Sequence, residues 1–162
     1  MLENIEPQVV WQHFSQLNAV PRPSKKEERV IQFIMEFGQD LGLETLKDKA
    51  GNVIIKKPAT KGHENKKTVV LQSHLDMVHQ KNEETNFDFN AQGIDMYVDG
   101  DWVKAKGTTL GADNGLGVAA IMSILTSDDI GHPAIEALFT IDEETGMTVA
   151  KNLDPNILNG EI

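Results

Sequence analysis

Three short clusters carry the side chains that chemistry uses: Ser73-His74-Leu75-Asp76, Gly111-Ala112-Asp113-Asn114-Gly115 and Asp142-Glu143-Glu144-Thr145-Gly146. In an extended segment, residues two apart point to one face, so His74 and Asp76 stand together. A carboxylate so placed accepts the imidazole's second N–H, fixes its tautomer and raises its basicity toward a metal. Asp113 falls at the expected start of a helix, where an ionised carboxylate is favoured and can offer both oxygens to two cations. Adjacent acids such as Glu143 and Glu144 repel one another unless a cation or a shared proton lies between them. Their side chains diverge, so one can hold a metal while its neighbour faces a bound water. Each cluster also has a plain structural explanation: a polar strand end, an Asp N-cap before an Asn-Gly turn, and a solvated acidic turn. Taken together, His, Asp and Glu without Cys suit zinc, manganese or cobalt in a hydrolytic site. Two metals roughly 3.5–4 Å apart need a bridging carboxylate, for which Asp113 is the natural candidate. Either Glu143 or Glu144 can supply the base that an activated water requires.

Other chemistries are excluded or weakened. The absence of cysteine rules out a disulfide scaffold, thiolate zinc sites and a cysteine nucleophile. Lys and Arg number 15 against 25 Asp and Glu, a net charge of −10 that argues against nucleic-acid binding. The glycines of 111–117 fit neither the dinucleotide fingerprint nor the Walker pattern. No window approaches ~18 consecutive apolar residues, so no membrane span is expected. Residues 1–20 contain Glu3 and Glu6 and no apolar core of a signal peptide, which points to a cytoplasmic protein. His79 lies five residues past His74 without the Glu of a zincin helix, and reads as a surface histidine, as do His13, His63 and His132. Asp88, Asn90 and Gly93 imitate part of a calcium loop, but Gln92 and Asp99 stand where Asp or Asn and a bidentate Glu belong. Trp11 and Trp102 read as core or hairpin packing.

The elements that must position these clusters follow from periodicity and turn chemistry. Val10, Trp11, Phe14 and Leu17 recur at helical spacing over 8–18. After Pro21 and Pro23, Ser24 and Glu27 form the pattern of a capping box, opening a helix that buries Val30, Ile31, Ile34, Phe37 and Leu41. Glu44–Lys47 and Asn52–Lys57 flank a turn at 48–51 and read as a hairpin. Thr68–Ser73 and Ala134–Ile141 read as buried strands. Met96–Val98 and Trp102–Ala105 surround Asp99-Gly100, a strong hairpin signal. Gly111–Gly117 leads into a helix over Val118–Leu125, and Met147–Ile162 reads as a short helix followed by the start of another strand. Strands alternating with helices predict an α/β layer fold with a mixed β-sheet flanked by helices. At 162 residues and 17.9 kDa, one domain is expected. All three clusters then lie at or just beyond the carboxyl end of a strand, the edge where open α/β sheets bind ligands.

The phrases NVIIKKPATKGHENKKTVVLQSHLDMVHQKN, YVDGDWVKAKGTTLGADNGLGVAA and LFTIDEETGM resemble a known family. It is that of the dinuclear zinc peptidases, which include aminoacylases, glutamate carboxypeptidases and bacterial di- and tripeptidases. The likeness is to its bacterial aminoacyl-histidine (Xaa-His, carnosine-cleaving) dipeptidase branch. It runs from the PRPSKKEE segment through nearly all of the chain. His79 departs from it, standing where such relatives usually have Pro.

The resemblance implies a role for each site residue. His74 would ligate one metal and Asp76 would orient it. Asp113 would bridge both metals, with a bond to Asn114 that is often cis in the family. Glu143 would be the general base and Glu144 the ligand of the second metal. The implied cofactor is Zn2+, two per active site, with Co2+ or Mn2+ as substitutes. The implied reaction is hydrolysis of dipeptides by a hydroxide bridging the two metals.

The family's downstream Asp ligand, C-terminal His ligand and lid or dimerisation domain have no counterpart before Ile162. The chain is therefore expected to be the N-terminal portion of the catalytic domain, with three of five ligands. Alone it would be inactive and bind metal weakly, while the intact enzyme would form a homodimer through the absent domain. The competing readings are a non-catalytic peptidase-like module that binds a cation or partner, and a calcium-binding domain using the 88–101 loop.

Overall fold

The structure, a computed structural model, describes residues 2, 4–147, 152–153 and 156–160. The elements run α1 (Gln8–Asn18), α2 (Glu28–Asp40), β1 (Glu44–Lys47), β2 (Val53–Lys57) and β3 (Val69–His74), then β4 (Met96–Asp99), β5 (Trp102–Ala105), α3 (Ala112–Thr126) and β6 (Ile135–Thr140). Asp48 closes the first hairpin: its Oδ1 accepts the N–H groups of Ala50, Gly51 and Asn52, which sets the antiparallel register Lys47↔Val53. In the second hairpin Gly100 takes φ 59°, a left-handed conformation that glycine adopts without steric cost.

The main sheet is mixed, in the order β1-β2-β6-β3, with β2 antiparallel and β3 parallel to β6. Parallel neighbours need a crossover, and here it carries the β4–β5 hairpin and α3. β6 is buried along its whole length, as its sequence predicts. β3, expected to be buried, instead forms an edge of the described sheet, with Val69 40% exposed. It pairs with β6 on one side only among the described strands, and Val69 and Gln72 are exposed.

Side-chain alternation divides the core into two faces. Val53, Ile55, Ala137 and Phe139 pack under the helices against Leu17, Val30, Ile34, Val118 and Met122. Ile54, Val70 and Leu138 point the other way and meet Leu153, Ile157 and Leu158. The described helices α1 to α3 therefore share one face of the sheet. The β4–β5 hairpin is tied on through Met96 and Val103, which join Phe14 and Ala119 in a smaller cluster. Glu136, buried in the central strand, accepts hydrogen bonds from Asn159 N, Asn159 Nδ2 and Gly160 N at 2.7–2.9 Å and so anchors 159–160 to β6. Of the helix and strand expected over 147–162, residues 148–151, 154–155 and 161–162 lie outside the described residues, and the described ones form neither an α-helix nor a strand.

Several local expectations are corrected. Ser24 and Glu27 do not make a capping box: α2 starts at Glu28, Glu27 Oε1 accepts Lys25 N at 2.8 Å, and the Ser24 hydroxyl is bonded elsewhere. His13 and His132 are buried, not surface residues. His13 sits between Gln16 and Thr126 and against the Phe37 ring, where burial lowers its pKa. His132 is bonded to the Pro133 carbonyl at 2.7 Å. Trp102 stands 70% exposed on its hairpin, so it is not a packing residue.

Candidate metal centre

The parallel pairing of β3 with β6 brings two of the three clusters side by side. His74 is in register with Thr140, and Leu75 N donates to Thr140 O at 2.8 Å, so both strands end at the same level. His74 follows as the last residue of β3, with its side chain only 6% exposed. The third cluster arrives from the start of α3. Gly111 takes φ 71°, the helical pattern is broken at Asp113 and Asn114, and the Asp113–Asn114 peptide is cis. Asp113 thus stands at the mouth of the helix, as expected, but outside regular helical geometry. Ser73 Oγ donates to the carbonyl of Asn114 at 3.1 Å and fastens this bend to β3. Gly117 leaves room there, because a Cβ would fall 2.1 Å from Asn114 Oδ1 and 2.8 Å from Ser73 Oγ and displace one of these side chains.

These placements make the clusters converge. His74 Nε2 lies 3.1 Å from Asp113 Oδ1 and 3.8 Å from Glu143 Oε2. Ligand atoms of His74, Asp113 and Glu144 all fall within 4.8 Å of one another. Behind the imidazole, Nδ1 donates to the main-chain carbonyl of Asp76 at 3.0 Å, with the Asp76 carboxylate at 3.4 Å. The sequence expectation assigned that contact to the carboxylate; its shorter partner is the backbone. The Asp76 carboxylate, fully buried, is instead bonded by Ser24 Oγ at 2.8 Å, Glu143 N at 3.0 Å and Glu144 N at 3.2 Å.

Electrostatics follow from this geometry. Burial works against both charges of the His74–Asp76 pair, but hydrogen bonding overrides it in each. Asp76 is held down at about 2 by His74, the two loop amides and Ser24. His74 is raised to about 9 by Asp76 and Asp113. Glu144 is raised, first by burial and then by the neighbouring acids Asp113, Glu143 and Asp76, with His74 opposing. A cluster that binds a proton this firmly has the field to bind a cation.

The donor set fits a metal. Nitrogen and oxygen ligands at ~2.0–2.2 Å from a tetrahedral zinc stand roughly 3.3–3.6 Å apart. The 3.1 Å between His74 Nε2 and Asp113 Oδ1 is close to that spacing. The Asp113 side chain is 85% exposed, which leaves its carboxylate open to a cation. Among the described residues no carboxylate cluster gathers in the 88–101 loop, where Asp88 Oδ1 accepts Asn90 N at 2.9 Å and the N–H of Asp88 donates to Gln92 Oε1. Residues that sequence reasoning passed over are Ser24, read only as a helix cap, and Arg22, which is buried beneath the site. The PRPS spelling was visible, but the partners of Ser24 and Arg22 in the site loops lie 52 or more residues away.

A mixed sheet with helices on one face, bearing this cluster at its strand ends, is a peptidase domain fold. The chain is homologous to bacterial dipeptidases. It is 45% identical over 161 residues to the cytosol non-specific dipeptidase of Escherichia coli (strain K12), covering 99% of this chain and 33% of that protein. It matches the crystal structure of aminoacylhistidine dipeptidase from Vibrio alginolyticus at 51% identity with a TM-score of 0.97, over 100% of this chain and 33% of that one. The aminopeptidase PepT of Bacillus cereus ATCC 10987 matches at 26% identity with a TM-score of 0.79, over 96% of this chain and 42% of that one. No family model matches the chain. The chain spans about a third of the length of the curated dipeptidase it matches. No helix among the described residues is long and apolar enough to cross a membrane.

Proposed function

We propose that residues 1–162 are the N-terminal portion of the catalytic domain of a metal-dependent dipeptidase acting on Xaa-His dipeptides. The observation that carries this reading is the convergence of His74, Asp113 and Glu144 within 4.8 Å at adjoining strand ends. His74 Nε2 would hold one divalent ion, Glu144 the second, and Asp113 would bridge them. Zinc suits these nitrogen and oxygen donors, with Co2+ or Mn2+ as substitutes. When bound, such ions supply Lewis-acid charge stabilisation and lower the pKa of a water to ~7.

The chain's own residues do the rest. Glu143 Oε2 reaches to 3.8 Å from the imidazole while staying half-exposed, a position from which it takes a proton from the attacking water and returns it to the leaving amine. Asp76 is the positioning residue: its carbonyl fixes the His74 tautomer, and its carboxylate holds the main chain of Glu143 and Glu144. Residues 1–162 alone would bind metal weakly and turn over no substrate, because a shared site needs its remaining ligands. Cytoplasmic location and a homodimer formed through a domain outside 1–162 complete the proposal; the name of the Escherichia coli relative supports the location.

The test is Asp113→Ala in the intact enzyme, scored for metal content and for hydrolysis of Xaa-His dipeptides. Loss of both is expected; retention of both overturns the site. Dipeptidase activity of purified 1–162 with added zinc would overturn its proposed inactivity.

A further inference from the structure

The Pro21–Lys25 segment connects α1 to α2, yet it contacts all three loops of the site. Lys25 Nζ pairs with Asp142 at 2.5 Å, and Ser24 Oγ holds Asp76. Arg22 makes the most unusual contacts. It is 1% exposed, and its guanidinium donates its hydrogen bonds to neutral oxygens, while the charge of the buried Asp76 carboxylate nearby favours its protonated form. Nη1 bonds the carbonyl of Leu75 at 3.0 Å; Nη2 bonds the carbonyl of Gly111 at 2.7 Å and Asn18 Oδ1 at 2.8 Å. Its Nε has no hydrogen-bond partner among the described residues. Hydrogen bonds to neutral acceptors offset little of what burying a cation costs, even with a carboxylate nearby. It is a good way to fix a distance, because the guanidinium is a rigid fork with donors at set angles. The two carbonyls it spans belong to the residue between His74 and Asp76 and to the residue two before Asp113.

The glycines give independent support. A Cβ at Gly111 would lie 2.5 Å from Arg22 Nη2, and one at Gly115 would lie 2.6 Å from the same atom. The glycine-rich turn is therefore shaped around a guanidinium from inside the protein. We propose that Arg22 is a positioning residue that sets the separation of His74 from Asp113 by clamping the main chain at Leu75 and Gly111 in one fork. Its consequence for metal binding rests on the reading of the site given above.

Arg22→Lys keeps the charge but cannot bond both carbonyls in the same geometry. In the intact enzyme, amide hydrogen exchange should accelerate together at Leu75–Met77 and Gly111–Gly115, while β1 and β2 keep their rates. Co2+ affinity, followed by its visible absorption, should fall about 10–100-fold. Val30→Ala, a core substitution in α2 that also lowers thermal stability, should do neither. Unchanged exchange at either loop overturns the clamp. Loosening of both loops with unaltered Co2+ affinity overturns the positioning role. If the unsubstituted intact enzyme binds no Co2+, the metal reading fails, while exchange still judges the clamp. Should Arg22→Lys not fold, Gly115→Ala keeps the arginine but crowds Nη2. Faster exchange at the distant Leu75–Met77 is then expected, and normal exchange there overturns the proposal.

Discussion

Glu143 donates its main-chain N–H to Oδ1 of Asp76 at 3.0 Å, so the residue behind the imidazole also holds the loop that bears both glutamates. Glu144 N adds a second bond to the same carboxylate at 3.2 Å, and Ser24 Oγ a third. One buried anion thereby fixes His74, through its backbone, together with Glu143 and Glu144.

Asp76→Asn keeps the shape but places an NH2 group against a donor. Hydrogen bonds to a charged acceptor contribute about 1.5–3 kcal/mol, so the variant should lose about 1–3 kcal/mol of stability in urea denaturation. Metal affinity should fall about 10–100-fold, because the 143–144 loop loses its charged anchor and the imidazole loses a neighbouring negative charge, although its bond to the residue 76 carbonyl remains. Wild-type metal affinity in Asp76→Asn would show that the anchor is dispensable.

Acid sensitivity should trace to the same group. The folded-state pKa of Asp76 is depressed to about 2, so it favours the folded state above the ordinary carboxyl range. That contribution, about 2 kcal/mol, is lost as pH falls from about 5 toward 2. Denaturation midpoints measured across this window should drop steeply in the wild type and more gently in Asp76→Asn. Parallel curves would assign the acid lability to other carboxylates.

Metal uptake should compete with a proton on His74. Its pKa is raised to about 9, so without metal the imidazole stays charged at neutral pH, and a ligand imidazole must be neutral. Calorimetry at pH 7 in buffers of different ionisation enthalpy should show about one proton released from His74 for each metal it ligates. Affinity should rise with pH and level off above about 9. Binding with no proton release would place the ion elsewhere.

The two glutamates should separate by their readouts. In the intact enzyme Glu143→Ala should lower kcat by about 10²–10⁴-fold with metal content retained. Glu144→Ala should lose metal as well as activity. Equal metal loss in both variants would remove the distinction between base and ligand.

What the sequence determined by itself was local. Turn chemistry located both hairpins and a short buried-strand run located β6, because such signals depend on neighbours only. His74, Asp113, Glu143 and Glu144 were legible as acid and imidazole clusters at strand ends, since their residue types and chain positions are enough to place them at one sheet edge. The capping-box reading of Ser24 failed because a local pattern was outcompeted by a buried carboxylate 52 residues away. His13 and His132 were misplaced for a related reason: burial is settled by what packs on a residue, not by its type. That β3 lies at an edge, that Asp76 faces the imidazole with its carbonyl, and that Arg22 joins Leu75 to Gly111 were decided only by tertiary structure. Those contacts join residues distant in sequence, and only the parallel closure of β3 on β6 and the seating of α3 against both bring them within bonding distance.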